Sequence, residues 1–342
     1  MRQIPEHLKA AVEISGWGMC LPERVMTNDD LVRETGLDTS DEWIATRTGI
    51  RQRYVLDPSK ATSDLAAGAA RAALARAGLD PEDVDLLIVA TASPDYITPS
   101  TNCLVQELLG ASRAHGFDLN AGCTGFLSGL QMGCSYLAAK MGRNVLLIGA
   151  ELGTRLLKWH IRESAVLFGD GAGAVVLQPS TTKRAWAFSM RDFGHLQDLL
   201  KIPAGGTRHR TSQETLDKGL HDPIFDGQAI FKEAGRAMVD RMQEVLKLAE
   251  LESQDIDVLV PHQANLRIIQ YVANKLGLTE NHGEPLPDRV FVNIDRYANT
   301  SNASIPIALC EAVEMERLRR GDLLAMCAFG SGLTSGAALV EW

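Results

Sequence analysis

Leu79-Asp-Pro-Glu-Asp-Val-Asp-Leu-Leu-Ile-Val89 and Leu251-Glu-Ser-Gln-Asp-Ile-Asp-Val-Leu-Val-Pro261 align without a gap, at an offset of 172 residues. Each copy follows a stretch rich in Ala or Arg and leads into an apolar run. Further out, Gly171-Ala-Gly-Ala-Val-Val-Leu177 is echoed by Ser335-Gly-Ala-Ala-Leu-Val340. An acidic turn before a strand also recurs by chance, so the first match alone leaves that reading open; both together favour a duplicated chain. The copies place the halves at 1–183 and 184–342. Around them, Val84 to Ala90 and Val145 to Ile148 read as buried strands and Asp64 to Ala77 as a helix ended by Gly78, the alternation of an α/β fold with an internal sheet. Arg184 to Asp226, punctuated by His195, Gly205-Gly206, His209 and Pro223, shows no sustained period and reads as a long covering loop between the halves.

At 342 residues, 45% hydrophobic and 23% charged, the composition excludes disorder and collagen-like structure and allows two modest domains or one large duplicated one. Thirty-four basic against 43 acidic residues give −9 with no basic run, which argues against nucleic acid as a partner. The N-terminal residues lack the apolar region of a signal peptide, and no stretch reaches the ~18 apolar residues of a membrane span. Six cysteines without C-x-x-C spacing indicate neither a zinc site nor a disulfide framework, so a cytoplasmic protein is expected.

Three stretches carry candidate chemistry. Phe117-Asp-Leu-Asn-Ala-Gly-Cys123-Thr-Gly-Phe-Leu places a cysteine between a short strand and a helical pattern, where N–H groups and the helix dipole favour thiolate and small neighbours admit a substrate. From the pattern alone, an inert core cysteine is the other reading; the remaining five are assigned to the core. Val260-Pro-His262-Gln-Ala-Asn reads as a strand ending in a histidine that opens a helix, a setting that keeps imidazole neutral and able to polarise a carbonyl. Tyr297-Ala-Asn-Thr-Ser-Asn-Ala-Ser304 is a polar run denser than helix capping requires.

The motifs around Cys123, His262 and Asn299, closed by Phe329-Gly-Ser-Gly-Leu-Thr-Ser-Gly336, together resemble β-ketoacyl-[acyl carrier protein] synthase III. Asp38-Thr-Ser-Asp-Glu-Trp-Ile-Ala-Thr-Arg-Thr-Gly-Ile-Arg51 and Leu167-Phe-Gly-Asp-Gly-Ala-Gly-Ala174 extend the resemblance over nearly the whole chain. It implies the thiolase fold: two βαβαβαββ halves in a five-layer α-β-α-β-α sandwich. It also implies a Cys123–His262–Asn299 triad that condenses an acyl-CoA starter with malonyl-[acyl carrier protein]. The implied acyl oxyanion hole is made by the backbone N–H groups of Cys123 and Ser331. Trp43, Arg47, Arg162 and Asn265 match positions that hold coenzyme A, although the Trp-Arg set taken bare also suits surface packing. Lys232, Arg267 and Lys275 match positions that dock the acidic carrier protein, with solvated surface cations as the alternative. No metal, nucleotide or redox cofactor is implied, because decarboxylation drives the reaction, and a homodimer built on the strand leading to Cys123 is expected.

The glycines of Gly169-Asp-Gly-Ala-Gly173 lead into a strand, whereas a phosphate cradle leads into a helix, so close packing beside the site is their better reading. His115, His160, His195, His209, His221 and His282 lack ligand spacing and read as structural or surface residues. Departures from the family pattern are Ala298 for glycine, Asn302 for a small residue, Ser331 for glycine and Ser335 for tryptophan. Asn302 is expected to add a polar contact near the acyl chain. These departures keep open a specialised relative that loads an unusual acyl-CoA in a polyketide or other pathway. The presence of Cys123 argues against a partner subunit that has lost its nucleophile.

Overall fold

The computed structural model describes residues 2–280 and 284–342, so His282 lies outside the described residues. The chain opens with β1 (Lys9–Cys20), then β2 (Arg24–Thr27) and β3 (Gln52–Val55), an antiparallel pair that brackets α1 (Asn28–Thr35) and α2 (Asp41–Thr48). The first half continues with α3 (Thr62–Ala77), β4 (Leu86–Ala90), α4 (Thr101–Leu109), β5 (His115–Leu119), α5 (Gly125–Ala138), β6 (Val145–Leu152), α6 (Arg162–Ala165) and β7 (Asp170–Asp192). A covering region with β8 (Leu200–Lys201), α7 (Gln213–Asp217) and β9 (Ile224–Phe225) follows. The second half has α8 (Gly227–Leu248), β10 (Val258–Pro261), α9 (Leu266–Lys275), α10 (Ile294–Tyr297), α11 (Ser304–Glu314), β11 (Leu323–Gly330) and β12 (Thr334–Glu341).

Both copies of the opening repeat fold alike. Asp83 and Asp255 each accept a backbone N–H three residues back, from Asp80 at 3.0 Å and Glu252 at 2.9 Å, and β4 and β10 then start at the same offset. Strand β4 lies parallel to β5 and β6 with β7 antiparallel on β6, while β10 lies parallel to β11 with β12 antiparallel on β11.

Period-two burial sorts the strands into layers. Leu87 and Val89 of β4 pack outward on Ala69 and Leu74 of α3. Leu86 and Ile88 turn inward onto Phe126 and Leu130 of α5 and Ile305 and Leu309 of α11, which also meet Val258, Val260 and Met326 of the second half. The outward face of that half, Leu259, Ala325 and Leu339, packs on Met238 and Met242 of α8 and Val272 of α9. Helices therefore cover both outer faces and fill the middle, the five layers of the thiolase fold. Helices α5 and α11 occupy the middle layer, as their Ala-, Leu- and Gly-rich sequences suit.

Strand β7 joins the two sheet regions. Its residues Asp170 to Leu177 pair with β6, and Trp186 to Asp192 pair with β12. Arg184 to Asp192 is thus strand, correcting the covering-loop reading of that stretch; Ala185, Trp186 and Ala187 are buried in succession, which erases the alternation by which a strand is read. The boundary between residues 183 and 184 falls inside this strand. Two cysteines also depart from the core assignment: Cys103 is exposed on α4 and Cys20 is half-buried on β1. Glycine packing at the start of β7 is as expected, since a Cβ on Gly173 would meet the Ile307 backbone of α11 at 2.8 Å.

Candidate active site

Cys123 lies just before Thr124, the N-cap of α5. Backbone crowds this turn from both sides. Gly122 has φ +53°, and a Cβ there would lie 2.6 Å from Ser331 N; a Cβ on Gly330 would lie 2.2 Å from Cys123 N. The absence of these side chains lets the Cys123 and Ser331 segments come together. The thiol accepts a hydrogen bond from Ser301 Oγ at 3.4 Å. Burial pushes the thiol up to about 11, the Ser301 bond opposes this, and the Glu151 carboxylate adds to it. This upward shift runs against the preference for thiolate expected of a helix terminus.

His262 follows β10, with its backbone N–H on Cys327 O of β11 at 2.8 Å. Helix α9 starts only at Leu266, capped by Asn265, so His262 does not open it. The imidazole is neutral as expected, but burial is what pushes its pKa down to about 4. Its Nδ1 lies 2.6 Å from Ser304 Oγ.

Asn299 is held through its backbone, donating to Leu167 O at 3.0 Å and accepting from Gly169 N at 3.1 Å. Its Oδ1 accepts the Ser301 N–H at 2.9 Å, which commits that oxygen and leaves the amide NH2 as the free donor. Flanking residues Ala298 and Ser301 have φ of +57° and +48°, a region that favours glycine.

Cys123, His262, Asn299 and Ser331 line one cavity of about 980 Å3, which reaches Trp43 and the exposed Arg47. Leu200, Ile202 and Phe225 from the covering region form part of its wall. Two guanidinium groups lie over the Trp43 ring, Arg47 at 4.4 Å and Arg162 at 4.5 Å from its centroid. Asn265 lines the same cavity while donating to Arg47 O at 3.1 Å. Lys232, Arg267 and Lys275 are all exposed on α8 and α9. Arg267 is also engaged, donating to Thr46 O at 3.0 Å.

Two groups escaped the sequence reading. Glu151 is the penultimate residue of the otherwise apolar β6, is 1% exposed and lines the cavity. Its Oε1 accepts from Thr91 Oγ1, Ala92 N and Ser93 Oγ at 3.1, 2.7 and 2.8 Å, and its Oε2 from Asn302 Nδ2 at 2.9 Å. Asn302 thus turns to Glu151 rather than adding a contact to the acyl space, correcting that expectation; its Oδ1 is packed toward Gly125. A lone acid inside an apolar strand is the available signal. Ser301 and Ser304 lay inside the polar run, unassigned.

The chain matches the family models described as 3-oxoacyl-[acyl-carrier-protein] synthase III over residues 117–194 and the C-terminal part of that enzyme over 246–342. It is 48% identical over 330 residues to β-ketoacyl-[acyl-carrier-protein] synthase III of Roseiflexus castenholzii, covering 96% of this chain and 97% of that one. Among solved structures, 3-oxoacyl-[acyl-carrier-protein] synthase III of Aquifex aeolicus superposes with a TM-score of 0.86 at 42% identity, over 97% and 100% of the two chains. A priming β-ketosynthase of the R1128 polyketide pathway reaches the same TM-score at 31% identity, over 99% and 98%.

Proposed function

The chain belongs to the β-ketoacyl-[acyl-carrier-protein] synthase III family, and from that membership we propose how its residues divide the condensation of an acyl-CoA starter with malonyl-[acyl carrier protein]. Cys123 Sγ attacks the acyl-CoA thioester carbonyl; the C–S bond to coenzyme A breaks, coenzyme A leaves as its thiol with the proton given up by Cys123, and an acyl-Cys123 thioester remains. The backbone N–H groups of Cys123 and Ser331 receive the oxyanion of this step. The malonyl thioester then loses carbon dioxide. The electron pair of the broken C–C bond moves into an enolate whose oxygen is held by the neutral His262 and the Asn299 amide. The enolate carbon attacks acyl-Cys123, a C–C bond forms, and the Cys123 thiolate leaves with 3-oxoacyl-[acyl carrier protein] as product. Each donor supports charge that exists only during reaction, where one lost donor typically costs about 100–1,000-fold in rate.

The observation that carries this reading is the commitment of Asn299 Oδ1 to Ser301 N–H, which leaves an amide donor on the cavity wall shared with Cys123 and a neutral histidine. The test is incubation with a panel of acyl-CoAs, mass spectrometry of the Cys123 peptide, and addition of malonyl-[acyl carrier protein]. An acylated Cys123 that then yields 3-oxoacyl product supports the reading, and an unmodified Cys123 defeats it.

Trp43, Arg47 and Arg162 suit the adenine ring and phosphates of coenzyme A, with Asn265 further down the channel. Lys232, Arg267 and Lys275 are the cations offered to the carrier protein; with a net charge of −9 on this chain, attraction to an acidic partner must be local. The reading includes a homodimer. Strand β5 ends the sheet order, and the loop before α4 exposes Tyr96 and Ile97, the latter 88% accessible. Pairing of two β5 edges across a two-fold axis would close that edge. Among the described residues no helix is long and apolar enough to cross a membrane. Unpaired cysteines and a reacting thiol suit the reducing cytoplasm.

A further inference from the structure

Ser304, the first residue of α11 and 2% exposed, sits between two groups of the His262 loop. Its Oγ lies 2.6 Å from His262 Nδ1, and it accepts the backbone N–H of Gln263 at 3.4 Å. A backbone amide can only donate, so Oγ is the acceptor in that second contact. The hydroxyl has one hydrogen of its own to place. Among the described residues, no other acceptor stands within reach of it, and burial makes an unplaced hydroxyl hydrogen costly. If Nδ1 carried the proton, the serine hydrogen would be stranded and Nε2 would present a lone pair to the cavity.

We propose that Ser304 is a positioning residue that donates its hydroxyl hydrogen to His262 Nδ1, fixing the tautomer in which Nε2 carries the N–H that faces the substrate. The proposal rests on the decarboxylation role given to His262 above and deepens it. The two hydrogen bonds also set the ring plane, since Gln263 anchors the hydroxyl while the hydroxyl anchors the ring. Gln263 is itself fixed, with Nε2 on Pro261 O at 2.8 Å and on Phe291 O at 3.2 Å, and Oε1 on Asn293 N–H at 3.0 Å. The low imidazole pKa is consistent with this, because a neutral ring has a tautomer to be chosen.

The experiment is nitrogen-15 NMR of the full-length enzyme labelled at histidine, with His262 assigned by comparison with the His262→Ala protein. An unprotonated, pyridine-type Nδ1 and a protonated Nε2 at neutral pH are expected. The reverse pattern overturns the proposal, whether or not Ser304→Ala folds. In parallel, Ser304→Ala should lower malonyl-thioester decarboxylation by about 10–100-fold, as a displaced donor does, and leave acylation of Cys123 by acyl-CoA within about twofold. Its His262 signals should shift toward a mixture of tautomers, which a purely structural role would not produce, and Ser304→Thr, which keeps the hydroxyl, should restore the wild-type spectrum. Unchanged decarboxylation and unchanged signals in Ser304→Ala overturn the proposal. If the wild-type enzyme itself does not decarboxylate malonyl thioester while His262 still shows the expected tautomer, the functional reading fails and the tautomer assignment stands.

Discussion

Ser301 Oγ donates to Cys123 Sγ, while the Ser301 backbone N–H donates to Asn299 Oδ1. One residue therefore touches the nucleophile and one of the two side chains given to the later half-reaction. The proposed division of residues between these half-reactions is nevertheless separable by mutation. Cys123→Ala should abolish acyl-enzyme, while His262→Ala and Asn299→Ala should keep acylation and lose malonyl decarboxylation by about 100-fold or more. Mass spectrometry of the acylated protein and release of labelled carbon dioxide measure the two separately; normal condensation by Cys123→Ala would remove the mechanism.

The thiol itself offers a pH test. With Sγ pushed up to about 11, the thiolate fraction grows tenfold per pH unit through the neutral range, and alkylation by iodoacetamide should still be accelerating above pH 9. Ser301→Ala removes a donor to the thiolate and should slow alkylation and acylation roughly tenfold at pH 8. A plateau in the wild-type rate below pH 8 would contradict this.

Stability should fall in acid on account of His262. The unfolded chain takes up a proton near the ordinary 6.5, whereas the folded imidazole resists until about 4. The unfolded state holds more protons across that window, so this contribution is whole above pH 6.5 and lost as pH drops toward 4. It amounts to about 3 kcal/mol. Urea unfolding at pH 7 and pH 4.5 should show a smaller loss in His262→Ala than in wild type, and equal losses would refute the assignment.

Trp43→Ala should raise KM for acyl-CoA about tenfold, through loss of the stacking face and of the two arginines it orders. A truncated acyl thioester without the nucleotide should acylate the variant and the wild type alike. Equal damage with both substrates would place Trp43 in the fold rather than in coenzyme A binding.

The cations on α8 and α9 are separable. Lys232→Glu and Lys275→Glu should raise KM for malonyl-[acyl carrier protein] in a salt-sensitive way and spare acylation by acyl-CoA. Arg267→Glu should impair both, because its guanidinium also bonds Thr46 O, next to Arg47. Kinetics at two ionic strengths decide between docking and indifference.

Ala298→Gly should stabilise the protein by about 1 kcal/mol, since φ +57° with ψ −160° strains any side chain and the entropy returned to the unfolded glycine offsets only part of the relief. Thermal or urea unfolding measures this; a loss of stability would mean that the Ala298 methyl, buried in the cluster with Ile294, outweighs the strain.

Much of this is legible in the sequence. Cys123, His262 and Asn299 sit in short, dense motifs, and the repeat at 79 and 251 exposed the duplication. What escaped depends on contacts remote in sequence. The strand from Arg184 to Asp192 opens on three successive buried residues, Ala185 to Ala187, so its alternation starts too late to be read. Burial, which sets the state of Cys123 and His262, is supplied by many segments, and local reading credited helix termini instead. Asn302 could be seen as unusual, but its direction depends on Glu151, about 150 positions away.

The continuity of β7 has a consequence for modularity. A chain descended from two copies of one unit might be expected to come apart into two exchangeable pieces. Here a single 23-residue strand runs through both copies, pairing with β6 over Asp170 to Leu177 and with β12 over Trp186 to Asp192, while β1 of the first half reaches past residue 183 to pair with Arg184 and Ala185. Recombination at the seam, or expression of either half alone, gives up those two β1 pairings and bares the apolar middle layer in which α5 and α11 pack together. The ancestral units have become one inheritable object, free to diverge in residues but not to be traded.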